Sequence, residues 1–188
     1  MIPLPNIIVV AVLTFLGIGM IIAFLRIVLK GGSLVGKPSA NPFLFYSGKL
    51  AIFASIGLLL CKALMPSFGG VQIPGWMAWL GTGILTAGSV ILLLSFFTLN
   101  ESLKYGLPEE KTRLITNGLF RFTRNPLYMG LFLVNTASAI FFPLLPNILI
   151  SLYCIGVHVI LILGEEQFLE KRFGADWIEY KNKVKRFI

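Results

Sequence analysis

Charge is what this sequence has least of. Only 13% of its 188 residues are Asp, Glu, Lys or Arg, against 56% that are hydrophobic. A soluble domain of this size has no use for so much apolar side chain, so the composition predicts a polytopic membrane protein. Cysteine is scarce as well. Cys61 and Cys154 both fall in apolar runs with no partner spacing. That implies no disulfide framework and no metal site, and makes both of them small core hydrophobes. The opening residues, Met1-Ile2-Pro3-Leu4-Pro5, lack the positive region of a cleaved signal peptide. No internal period suggests a solenoid or an inverted repeat. The length predicts one domain over residues 1–188 and no separate soluble module.

What is present is one apolar run after another. The first, residues 7–29, is long enough to cross a hydrocarbon core of about 30 Å at about 1.5 Å per residue. The second spans 43–65 and contains Lys49 and Lys62, each near an end and each read as snorkelling to a headgroup region. The third spans 76–99 and starts at Trp76 and Trp79, where an aromatic belt would sit. The fourth, 127–142, is short and covers about 24 Å. A Pro143–Asn147 reversal leads to an equally short fifth run, 148–164. The one long polar insert, 100–124, holds Lys104, Lys111, Arg113 and Arg121 with Glu101, Glu109 and Glu110, and could cover a soluble ligand. Residues 165–188 read as an amphipathic helix pair broken at Gly174.

The net charge is +8, gathered between the apolar runs and at the C-terminus. This pattern suits an anionic leaflet better than nucleic acid. The first loop, the polar insert and the tail carry nearly all the cations; the second loop and the Pro143–Asn147 reversal carry none. The positive-inside rule then puts the N-terminus outside and the C-terminus in the cytoplasm. The expected fold is all-α. Five transmembrane helices end in a C-terminal helical hairpin and a cytoplasmic amphipathic tail. Three of the helices lie in residues 1–100, and the cofactor-binding part is 101–188.

The chemistry concentrates in two places. Arg124-Asn125-Pro126-Leu127-Tyr128-Met129-Gly130 opens the fourth run, and Glu165-Glu166 closes the fifth. The five-residue reversal makes these runs antiparallel neighbours, so both motifs meet at the cytoplasmic face. Pro126 suits a first helical turn, where its missing N–H is not needed. The free amides of that turn favour an anion, and Arg124 adds a positive charge beside them. Arg124 can equally mark a cytoplasmic helix end, as such arginines commonly do. Across the gap, Glu165 and Glu166 would accept from hydroxyls or face a cation. A ligand with a carboxylate, an amine and a ribose satisfies both halves, and S-adenosylmethionine is such a ligand.

The order of these residues resembles the isoprenylcysteine carboxyl methyltransferase and phospholipid methyltransferase superfamily of integral membrane enzymes. Its pattern runs Gly-x-Tyr, Arg-His/Asn-Pro-x-Tyr-x-Gly, a hydrophobic hairpin, Glu-Glu, a Phe-Gly pair, a tyrosine and a terminal arginine. Here Gly118-Leu119-Phe120, Arg124 to Gly130, Glu165-Glu166, Phe173-Gly174, Tyr180 and Arg186 stand in that order. The resemblance covers about the last two-fifths of the chain. It implies S-adenosylmethionine as cofactor at the cytoplasmic face and a lipophilic or lipidated acceptor entering between helices from the membrane. It implies neither a metal nor a nucleic acid partner. Gly118, Arg124, Asn125, Pro126, Tyr128, Glu165 and Glu166 become the candidate cofactor-binding residues. Three positions depart from the pattern. Asn125 stands for a common histidine and cannot serve as a base. Phe120 stands for tyrosine, and Lys185 for a proline.

The resemblance leaves the acceptor open. A prenylcysteine-like carboxylate needs orientation and no base, and Arg172, seven residues from Glu165, is a candidate to hold it. An amine or thiol acceptor must lose a proton. His158, the one histidine, shares a helix face with Glu165 and is the candidate base; a structural hydrogen-bonding role is the commoner one for such a residue. Arg172, His158 and Glu165 are the catalytic candidates. Asn135 and Ser138 either line an acceptor path or hydrogen-bond between helices, the second being commoner. Phospholipid amine, small thiol, an NADPH-dependent sterol-reductase-like activity and a non-catalytic membrane role are the alternatives.

Overall fold

The computed structural model describes residues 2–29, 38–39, 41–99 and 113–187. The cations Lys30, Lys37, Lys104 and Lys111, and the acids Glu101, Glu109 and Glu110 of the polar insert, lie outside these residues. Among the described residues there are helices and no strands. They are α1 (Leu4–Leu29), α2 (Pro42–Leu64), α3 (Gly75–Leu99), α4 (Pro126–Phe141), α5 (Leu145–Phe173) and α6 (Ala175–Lys183), with short 3₁₀ turns at Phe68–Gly70 and Gly118–Arg121. α1, α2, α3 and α5 are long and apolar enough to cross a membrane, while α4 is a shorter apolar helix of 16 residues.

Large apolar side chains cover the outside of the bundle: Phe15, Leu50 and Phe53 are each about 70% exposed. Lipid removes the hydrophobic drive for helices to associate, so close packing and internal hydrogen bonds must do it. Both are found. A Cβ on Gly130 would stand 2.8 Å from the Gly88 carbonyl, and one on Gly88 would stand 2.9 Å from the Gly130 carbonyl. The backbones of α3 and α4 therefore touch, with Gly81 against Phe141 one end further along. A polar ladder joins α2, α4 and α5. Ser138 donates to the Ser55 carbonyl at 3.0 Å, the Ser55 and Ser151 hydroxyls are 3.2 Å apart, and buried Asn147 donates to the carbonyls of Ser138 and Phe142. Ser138 thus has the interhelical role; Asn135 donates within its own helix, to the Leu131 carbonyl.

Two sequence expectations change. The last crossing does not stop at Gly164: α5 runs unbroken through Glu165 and Glu166 to Phe173. Nothing in that stretch breaks a helix until Gly174, whose φ of 52° is a glycine conformation. Only the second half of the expected tail pair, α6, is a separate helix. Lys62 does not snorkel either. It is 3% exposed, and its ammonium donates to the carbonyls of Pro66, Phe68 and Val71 beneath the Phe142 ring. The loop after α2 turns its carbonyls inward, so they substitute for water around the charge.

The helices alternate in direction. At one end of the bundle, Asn6 at the start of α1 donates to the carbonyls of Lys62 and Ala63 at the end of α2. At the other end, Ser39 lies against Gly164 and Gly118 lies against Thr98. Arg124, Tyr128, Glu165 and Glu166 belong to this second end.

Candidate active site

α4 begins at Pro126, whose fixed φ and missing N–H suit that position. Asn125 sits at the cap but makes no capping bond with its side chain. It turns to α5 instead, donating to Glu166 Oε1 at 3.2 Å and to the Arg186 carbonyl at 3.4 Å. Glu166, buried, is the centre of the first of two clusters. Arg124 meets it with Nε at 3.2 Å from Oε1 and Nη2 at 3.4 Å from Oε2. Arg186 meets Oε2 with Nε at 3.1 Å and Nη2 at 2.8 Å. One carboxylate therefore stands between two guanidiniums, Arg124 meeting both of its oxygens in a fork and Arg186 giving both nitrogens to Oε2.

The same residues tie down the end of the chain. Arg124 Nη1 donates to the carbonyls of Lys181 and Val184, its backbone N–H to the Lys185 carbonyl, and Thr123 Oγ1 to the Arg186 carbonyl. Gly174 lets α6 start immediately after α5. Trp177 and Tyr180 on α6 are buried, and Tyr180 donates to the Phe120 carbonyl at 2.6 Å. Burial pushes the Tyr180 phenol up to about 12, so it stays a donor. The Arg186 guanidinium, hydrogen-bonded to Glu166, is held above its ordinary range.

The second cluster lies on the adjacent side of α5. Successive helical residues diverge by about 100°, and the two carboxylates have different partners accordingly. Glu165 accepts from the Tyr128 hydroxyl at 2.6 Å. The Tyr128 ring lies 5.9 Å from the His158 ring, centroid to centroid. His158 is fully buried, and its Nδ1 is 2.7 Å from the Cys154 carbonyl. A carbonyl only accepts, so Nδ1 carries the proton and the neutral ring presents Nε2 as an acceptor. Nε2 has no partner among the described residues. Lys49 of α2 is half-buried beside this cluster, and its charge acts on Glu165 and His158.

Of the residues singled out in the sequence, Arg124, Asn125, Tyr128, Glu165, Glu166 and His158 thus come together, with Pro126 setting the helix start. Gly118 and Arg172 are placed differently. Gly118 holds a turn at φ 58°, with Thr98 against it. Arg172 lies two turns beyond Glu165, over the rings of Phe168 and Phe173. Arg186 and Lys49 joined the site without having been singled out for it. Arg186 had a signal, being the terminal arginine of the motif series. Lys49 had none, since a lysine near the end of an apolar run has a routine explanation.

The phospholipid methyltransferase family model matches residues 76–176, from the start of α3 past the end of α5. That is more than half of the chain. The chain belongs to the phospholipid methyltransferase family. No curated protein and no solved structure matches it. The phospholipid methyltransferases fall within the membrane methyltransferase group to which the sequence motifs pointed. Membership makes this chain a methyltransferase of the membrane, with lipid-type substrates. The matched span contains α4, the Arg124 to Gly130 motif that opens it, and Glu165-Glu166 of α5. Arg186 and Lys49 lie outside it.

Proposed function

We propose that this phospholipid methyltransferase family member transfers a methyl group from S-adenosylmethionine to a lipophilic acceptor at the cytoplasmic membrane face. The whole chain acts as one domain, with α4 crossing the membrane in addition to α1, α2, α3 and α5. The observation that carries the reading is the pair of clusters where α4 and α5 meet. Two carboxylates there have different partners, at the mouth of an apolar bundle. The donor set fits the cofactor. Glu165 is partly buried, and its carboxylate can accept from an amine or from ribose hydroxyls beside the Tyr128 hydroxyl. Arg186, 39% exposed at its side chain, offers a cation to a carboxylate. Arg124, 8% exposed and committed to Glu166 and the chain end, holds the site together.

When bound, S-adenosylmethionine supplies an already activated methyl group on a sulfonium. The chain's own residues then have to position, exclude water and manage any proton. Tyr128 fixes the Glu165 carboxylate through a short hydrogen bond. Asn125 and the two arginines fix Glu166. His158, with Nε2 free to accept, can take a proton from an acceptor that carries one. Arg172 can orient an acceptor carboxylate, and Gly118 supplies the turn that leads into the segment carrying Arg124 and Asn125. The acceptor is a prenylcysteine-like carboxylate or another lipid.

Calorimetric titration with S-adenosylhomocysteine tests the cofactor. Glu165→Gln should weaken binding at least about tenfold, the scale of one charge-assisted hydrogen bond, while the apo protein unfolds at the wild-type temperature. Binding equal to wild type would remove Glu165 from the site. Incubation of lipid extract with labelled methyl donor, followed by product identification, then names the acceptor.

A further inference from the structure

The family match begins at residue 76 and leaves α2 outside it, yet α2 reaches the site. A Cβ on Gly48 would stand 2.8 Å from Val157 Cγ1 and 3.3 Å from His158 Cε1, so the α2 backbone abuts α5 at His158. Lys49 follows at once, about two turns into an apolar helix. Its ammonium lies 5.3 Å from the Phe45 ring centroid, and buried Phe45 packs with Val157 and Leu161 of α5. The charge is therefore held at the seam between α2 and α5, where it acts on Glu165 and His158. A lysine at such depth marks a function more often than an anchor. A second observation points to a ligand at His158 and at Asn135 of α4, which packs against α5. His158 Nε2 and Asn135 Oδ1 have no hydrogen-bond partner among the described residues, although both side chains are fully buried. Unpaired buried acceptors are costly and call for a donor.

We propose that Lys49 is a specificity-determining residue of the acceptor site, selecting acceptors whose head group carries an oxyanion, phosphate or carboxylate. The proposal rests on the methyltransferase reading given above. Arg124 and Arg186 are turned to Glu166, while Glu165 alone would repel an anion entering beside Tyr128. Lys49 supplies the opposite charge on the Glu165 side. The oxyanion of the head group sits against the Lys49 ammonium, and its N–H or O–H groups donate to His158 Nε2 and Asn135 Oδ1. The half of the chain outside the family match thereby chooses the acceptor, and the matched half carries the cofactor.

The test uses the full chain in neutral detergent with three spin-labelled lipids: phosphatidic acid, stearate and methyl stearate. Wild type should hold at least one of the two oxyanion probes about tenfold more tightly than the neutral ester, the scale of one charged hydrogen bond. Lys49→Met should bring that ratio close to one, Lys49→Arg should keep most of it, and Lys183→Met, on the exposed tail, should leave it unchanged. Preference for phosphate over carboxylate assigns a phospholipid head; the reverse assigns a carboxylated lipid. A preference that survives Lys49→Met, or falls equally in Lys183→Met, overturns the proposal. Should Lys49→Met not fold, Lys49→Gln carries the same comparison. S-adenosylhomocysteine affinity, measured on the same proteins, should be unchanged by Lys49→Met. Its loss there would make Lys49 a support for Glu165 and overturn the specificity role. Failure of wild type itself to bind S-adenosylhomocysteine would sink the methyltransferase reading, and the lipid ratio would still decide whether Lys49 selects oxyanions.

Discussion

Glu166 shows how one buried charge can set both the shape and the chemistry of a site. A carboxylate among apolar helices is tolerable only with full compensation, and here two guanidiniums and an amide supply it. Removing one partner leaves the others stranded. Glu166→Gln is therefore expected to lower the stability of the protein in detergent by about 3–5 kcal/mol, read from its thermal unfolding. Arg124→Ala should act through the same network, since the guanidinium also holds the carbonyls of Lys181 and Val184. The double variant should then cost clearly less than the two single losses added together, because the sites share a partner; simple additivity would show that the network is not one unit. Tyr180 gives a pH-dependent counterpart. Its phenol is raised from 10.0 to about 12 by burial, so the folded state prefers the protonated form. The stability this contributes is complete below pH 10 and disappears as pH rises towards about 12. Tyr180→Phe should flatten that alkaline loss, and wild type should show a late-titrating tyrosine by absorbance near 295 nm, a wavelength set by the tyrosinate chromophore and about where it absorbs.

At the scale of elements, the site depends on two contacts that carry no chemistry. The first is the touching of α3 and α4 at Gly88 and Gly130. Added carbon there meets backbone, which cannot rotate out of the way. Gly130→Ala should destabilise by about 1–3 kcal/mol or more. Because α4 carries Tyr128, two residues away, the same change should also weaken S-adenosylhomocysteine binding. Wild-type unfolding and binding in Gly130→Ala would mean that α3 and α4 do not touch there. The second contact is the return of the chain after α6 onto the segment that leads into α4, with Gly174 making the turn between α5 and α6. It brings residues 184–186 back to Thr123, Arg124 and Asn125 and puts Arg186 on Glu166. α5 is long enough to run from the far end of the bundle through both carboxylates, so one rigid helix positions His158, Glu165 and Glu166 together.

For the molecule as a whole, the two ends of the bundle have opposite characters. The end with Asn6 and Lys62 turns the buried Lys62 ammonium onto loop carbonyls; the other end gathers Arg124, Arg186, Lys49, Glu165 and Glu166. The proposed five crossings, with the cations on the inside, predict that cysteines introduced near Pro3 and near Lys183 label from opposite sides of the membrane. Labelling of both from the same side would rule out an odd number of crossings and would take the active face out of the cytoplasm.

The sequence by itself determined the class of molecule and most of the parts of the site. Apolar runs longer than a bilayer is thick allow little else than helices, because lipid offers no partner for an unpaired backbone. The antiparallel meeting of Arg124-Asn125-Pro126-Leu127-Tyr128 with Glu165-Glu166 followed from a five-residue reversal, a local constraint. Tertiary structure decided which charge faces which. Pairing within the network joins Arg124 and Arg186 to Glu166 across 42 and 20 residues, and Tyr128 to Glu165 across 37. No local rule specifies such pairs. Lys49 and Lys62 make the point most directly. Both are lysines near the ends of one apolar run, and both read as snorkelling. One is held by the carbonyls of a loop and the other acts on a carboxylate of α5. A long flexible side chain takes whichever compensation its neighbours provide, and only packing brings those neighbours within reach.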